Sequence, residues 1–192
     1  MRTGLRQIIK LISFTLLFTI VTFIGALYIF AVLFHEIFLE KEDELDRRVF
    51  NFLENNTSAD LHEAMRVLTF FGKPDFLIPA YVLLVLYFII RKKKAYAIQV
   101  AVLAISSTTL LFGLKVILKR DRPALPIFEH LGGYSFPSGH ALLGFVFCSI
   151  LIFMVWKGKL AAGWKWLLTF FLLLFSFTIG ISRIILKVHY TS

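Results

Sequence analysis

An all-α, polytopic transmembrane helical bundle is the fold class this sequence predicts, and three observations predict it. Hydrophobic residues make up 58% of the chain, phenylalanine occurs 22 times and mean hydropathy is +0.80, well above soluble domains, of which about half is apolar. The apolar residues gather into runs that can cross roughly 30 Å of hydrocarbon, which takes about 20 helical residues. The basic residues behind the net charge of +9 sit at the ends of those runs, as membrane topology requires, and not on a polar stripe interleaved with aromatics. No nucleic-acid partner is therefore expected.

The first span, 11–34, follows Arg2, Arg6 and Lys10. It is too long for the apolar region of a signal peptide and no small-residue cleavage site follows, so it reads as a retained anchor. The 39–74 connection combines Glu40, Glu42, Asp43, Glu44 and Asp46 with Val49, Phe50, Phe52, Leu53, Leu61, Met65 and Leu68 at roughly helical spacing. Both an interfacial amphipathic helix and a solvated linker with local helix fit that pattern. Further spans fall at 75–90, 95–118, 140–156 and 164–186, giving five. With no internal repeat or low-complexity linker, one membrane-embedded domain over 1–192 suffices. Cys148, the single cysteine, lies inside an apolar run and reads as packing.

Alternation of five spans places Arg2, Arg6, Lys10, Arg91–Lys94, Lys157, Lys159 and Lys165 on one side, which the positive-inside rule makes the cytoplasm. Lys115, Lys119, Arg120, Arg122, Arg183 and Lys187 fall on the other side and break the rule together. They need another reason.

That reason lies in three polar islands. Lys115 and Arg122 are seven residues apart, so on a continuous helix ended by Pro123 both project from one face, as an ammonium and a guanidinium fork suited to a phosphate dianion. Ser138 in Pro137-Ser138-Gly139-His140 is an N-cap candidate. Gly139 and His140 then occupy a first helical turn whose free N–H groups cradle an anion, with His140 a proton donor to a departing oxygen. Ser182-Arg183 and His189 add a third cation and an imidazole that, when neutral, is a nucleophile toward phosphorus without metal activation. Each island has a plain structural alternative: snorkelling cations, a capping turn, a histidine anchored at headgroup level. None of these explains why all three share one side.

Lys115-x6-Arg122-Pro123, Pro137-Ser138-Gly139-His140 and Ser182-Arg183-x5-His189, in this order, resemble the signature of the type 2 phosphatidic acid phosphatase superfamily. The apolar spans point to its membrane lipid phosphatases. The resemblance implies that His189 forms a phosphohistidine, that His140 protonates the leaving group, and that Lys115, Arg122, Ser138, Gly139 and Arg183 clamp the phosphate. It implies no cofactor and a lipid phosphate substrate with no obligate protein partner, while the alternation of spans places the site on the extracytoplasmic face of a multi-pass cell-membrane protein. Phosphatidylglycerol phosphate is the first expectation; undecaprenyl diphosphate and phosphatidic acid are the alternatives. The family pattern also has an aspartate four residues after the last histidine and a sixth span, both of which would lie beyond Ser192, so the natural chain is expected to continue.

Other classes fit the sequence less well. A two-metal phosphatase needs paired oxygen ligands, and between spans three and five the only carboxylates are Asp121 and Glu129. A non-enzymatic anion-binding protein or transporter would need charged or helix-breaking residues near the middle of the bilayer, where this chain has Ser106, Ser107 and Thr108. Nothing in the sequence argues for a vanadate-holding haloperoxidase.

Overall fold

The computed structural model describes residues 16–25, 27–28, 31–32, 34–35, 44–122 and 133–190. All regular structure among them is helical: α1 Leu16–Gly25, α2 Glu44–Asn56, α3 Ala59–Phe70, α4 Pro74–Ile90, α5 Lys94–Leu118, α6 Gly139–Lys157 and α7 Ala162–Ile185. Two compact units divide the chain, 1–48 with residue 192, and 49–191. The first contributes the apolar helix α1, part of the expected first span, whose remainder lies outside the described residues. The second carries the site.

Four helical stretches are long and apolar enough to cross a membrane: Ala59–Ile90, Lys94–Leu118, Gly139–Lys157 and Ala162–Ile185. Their boundaries match the predicted spans to within a few residues, except that α3 precedes α4 through only a short turn at Phe71–Lys73. The 39–74 connection is thus two helices among its described residues. Large side chains such as Ile90 (77% exposed) and Ile117 (75%) point outward, the arrangement expected where lipid is the solvent. Polar side chains inside α5 are satisfied by their own helix: Ser107 donates to Leu103 O (2.6 Å) and Thr108 to Ala104 O (2.8 Å).

Sequential packing of α4 on α5, α5 on α6 and α6 on α7 makes an up-and-down bundle. Its interior includes Phe88, Ala97, Val100 and Ile150, with Tyr81, Val85, Val146 and Met154 around them. Small residues bring α6 and α7 close: a Cβ on Gly180 would stand 3.8 Å from Ala141 Cβ, and one on Gly144 would stand 3.6 Å from Ile179 Cδ1. The alternation puts the Arg91–Lys94 and Lys157–Lys165 turns at one end. At the other end meet the α3–α4 turn, the C-terminus of α5, the N-terminus of α6 and the C-terminus of α7.

Candidate active site

Lys115 lies in the last turn of α5, which stops at Leu118. Lys119 then turns left-handed (φ 46°), its N–H donating to Lys115 O at 3.0 Å. Arg122 is therefore not on the helix, which corrects the expectation of one continuous face; Pro123, the expected helix end, lies outside the described residues. The two cations nevertheless meet, because the chain returns through Gly133–Ser135. Lys115 Nζ donates to Tyr134 O, and Arg122 Nη2 reaches the same oxygen at 3.5 Å. Arg122 also donates to Gly133 O (Nε, 3.0 Å) and to Val188 O (Nη1, 3.1 Å), beside His189. Burial lowers the Arg122 pKa below the ordinary guanidinium value.

At the start of α6, Ser138 is the N-cap and its Oγ accepts from Ala141 N at 3.5 Å, so Gly139 and His140 open the helix as expected. A Cβ on Gly139 would come within 3.2 Å of Leu111 on α5. His140 Nε2 is buried with no hydrogen-bond partner among the described residues.

Arg183 is 3% exposed near the end of α7, and Ser182 is fully buried. The helix ends at Ile185, Lys187 turns left-handed (φ 53°), and the Val188 and His189 N–H groups fold back onto Arg183 O at 3.1 and 3.2 Å. Ser182 and His189 accordingly do not share a helix face; a tight C-terminal turn sets His189 against Arg183. Burial, then Arg183, Arg122 and Lys115, push the His189 pKa from 6.5 down to about 3, against a hydrogen bond to the Ser135 backbone that raises it. A hydrogen bond that raises a histidine pKa is one in which the ring N–H donates to the carbonyl. His189 is thus neutral at physiological pH: one ring nitrogen is committed to Ser135, and the other keeps its lone pair.

Sequence reasoning missed three contributors. Thr69, 3% exposed at the end of α3, accepts from Arg183 Nη1 at 2.8 Å. Gly72 lies so close to His140 that a Cβ would stand 2.9 Å from His140 Cβ and 3.0 Å from Ile179 Cγ2. Ser135, 2% exposed, donates from Oγ to Asp121 O (2.6 Å) and Arg120 O (3.1 Å), and from N to Arg120 O (2.8 Å). It ties the strap that holds both cations and the His189 ring. A small polar residue just before the Pro-Ser-Gly-His turn was its only sequence signal. Ser135→Ala removes the hydroxyl that serves Asp121 O, while Arg120 O keeps the bond from the backbone N–H of residue 135, a loss of about 0.5–1.5 kcal/mol. A matching fall in thermal stability, with roughly tenfold slower phosphate release, is the expected result in melting and activity assays.

Among the described residues no three His, Cys, Asp or Glu side chains come together as a metal-ion site.

The site's two histidines and its cations thus converge at one end of the bundle, at the ends of spans and in the turns that follow them. Two solved structures share this fold. A transmembrane PAP2-type phosphatidylglycerolphosphate phosphatase from Bacillus subtilis superposes with a TM-score of 0.78 at 24% identity, covering 87% of this chain and 84% of its own. Aquifex aeolicus LpxE superposes with a TM-score of 0.58 at 23% identity, covering 76% and 83%. Among curated proteins no significant match is found. The PAP2 superfamily profile matches residues 95–192, which contain Lys115, Arg122, Ser138, Gly139, His140, Arg183 and His189. The chain belongs to the PAP2 superfamily.

Proposed function

We propose that this protein is a metal-independent lipid phosphate phosphatase of the cell membrane, with its site on the extracytoplasmic face. The observation that carries the reading is a buried, neutral His189 set among Arg183, Arg122 and Lys115. Neutrality leaves a lone pair for phosphorus, and the three cations hold the phosphoryl oxygens and offset the charge that develops on them.

In the first step the free nitrogen of His189 bonds to phosphorus as the P–O bond to the lipid breaks, and His140 passes its proton to the departing oxygen. A bound phosphate dianion favours the protonated form of His140 that this needs. In the second step His140, now neutral, takes a proton from water as the water oxygen attacks the phosphohistidine, releasing phosphate and restoring His189. Lys115, Arg122 and Arg183 clamp the transferred group, and Ser138 with Gly139 at the opening of α6 supplies N–H donors.

Phosphatidylglycerol phosphate is the substrate this reading favours. The fold likeness to the Bacillus subtilis enzyme, named for that lipid, supports it. Undecaprenyl diphosphate and phosphatidic acid follow. Purified protein is expected to release phosphate from phosphatidylglycerol phosphate in excess EDTA, and vanadate, which adopts the five-coordinate geometry of the transition state, is expected to inhibit. Activity lost in EDTA and restored by a divalent ion contradicts the metal-free reaction.

A further inference from the structure

His189 reaches the site on a turn, not on a helix, so whatever fixes residues 186–190 fixes the imidazole. Leu186 and Val188 are each 4% exposed and anchor the turn. Between them Lys187 takes a left-handed backbone (φ 53°), which costs an L side chain free energy that its surroundings must offset. From the α7 side the turn is closed by the Val188 and His189 N–H groups on Arg183 O.

The side chains of the same turn are held by α2. Lys187 Nζ lies 3.3 Å from Glu54 Oε2, and the Tyr190 ring packs on the Phe50 ring with centroids 6.1 Å apart. Phe50 and Glu54 are four residues apart in one helix and so share a face. Lys187 stands two residues before His189 and Tyr190 one after it. One face of α2 therefore grips the chain on both sides of the imidazole. Tyr190 is also tied to the strap that carries Arg122, because the Arg120 guanidinium carbon lies 4.1 Å from its ring centroid and Arg120 O accepts from Ser135 N. Residues 50 and 54 precede 95–192, the part matched by the superfamily profile.

As a source of stability the ion pair is minor, since the Glu54 side chain is 68% exposed and water screens it. Its consequence is positional. On the reading proposed above, the free nitrogen of His189 must point at phosphorus while the other stays with Ser135, and a misplacement of about 1 Å from such an alignment slows reaction about a hundredfold.

We propose that Glu54 and Phe50 of α2 are positioning residues that set the 186–190 turn, and through it the His189 imidazole, against the phosphate clamp. Neither touches the substrate. Their effect falls on the rate of the chemical step, and the clamp, built from Lys115, Arg122 and Arg183, keeps its hold on phosphate.

The test measures kcat, KM and melting temperature of the purified full chain on phosphatidic acid in mixed micelles. Glu54→Lys is expected to lower kcat roughly ten- to hundredfold with KM within about threefold, while the melting temperature moves by no more than about 2 °C. Lys187→Glu is expected to do the same. The swapped pair, Glu54→Lys with Lys187→Glu, is expected to recover kcat to within about threefold of the parent. Phe50→Ala supplies a second arm should the reversed charges prevent folding: kcat falls by a similar factor, and Phe50→Tyr, which keeps the ring, retains it. An unchanged kcat, a loss that the swap and the tyrosine variant do not recover, or a loss confined to KM overturns the assignment. Failure of the underlying reading is seen separately, as phosphate release that survives His189→Ala.

Discussion

His189→Ala is expected to lower phosphate release by at least about 10,000-fold, and by the same factor on every substrate. On the proposed mechanism the reason is covalent: without the imidazole no phosphoryl-enzyme forms, whatever the leaving group. On the proposed mechanism, what remains is the cationic clamp for phosphate. Binding of vanadate or inorganic phosphate to the variant is therefore expected to persist while turnover is lost. The buried position makes folding a separate question, so the variant's elution profile and melting temperature accompany the assay. A variant that melts like the parent but retains a tenth of the activity contradicts the assigned nucleophile.

The second large effect separates the two histidines. A lipid alkoxide leaves badly without a proton, whereas p-nitrophenolate leaves well. In single-turnover measurements His140→Ala is expected to slow the first step on phosphatidic acid by about 100- to 10,000-fold, the range for general acid catalysis. Release of p-nitrophenol from p-nitrophenyl phosphate is expected to change far less, within about tenfold. His140 Nε2 is buried and makes no hydrogen bond among the described residues, so on the proposed mechanism nothing in its described surroundings competes for the proton. Equal losses on the two substrates contradict the division of roles.

What the sequence showed, and what it hid, divides along a physical line. Hydropathy and span-end charge gave α4, α5, α6 and α7 to within a few residues, because burial in lipid acts on each segment independently. The Pro-Ser-Gly-His turn was legible for the same reason: an N-cap is a local device. The routes by which Arg122 and His189 reach the site were not. The seven-residue spacing of Lys115 and Arg122 suggested one helix face, yet α5 ends first, at Leu118, as α7 does at Ile185 before His189. The left-handed turns that follow fall on Lys119 and Lys187, where no glycine announces them. A tertiary bond from Arg122 to Val188 holds the first, and the helix-end bonds of the Val188 and His189 N–H groups to Arg183 O hold the second. Thr69 and Gly72 were invisible because their partners, Arg183 and His140, are far along the chain; a threonine and a glycine before a span carry no local sign of such contacts.

The covalent intermediate is the central claim, and one measurement reaches it directly. In the His140→Ala variant given p-nitrophenyl [32P]phosphate, the first step needs no acid, while the second lacks the base that activates water. Label should therefore accumulate on the protein. Rapid quenching in alkali is expected to trap close to one phosphate per chain as an acid-labile, alkali-stable adduct, and peptide mapping is expected to place it on His189. The absence of any trapped label while p-nitrophenol is released, or label carried by a residue other than His189, contradicts the account.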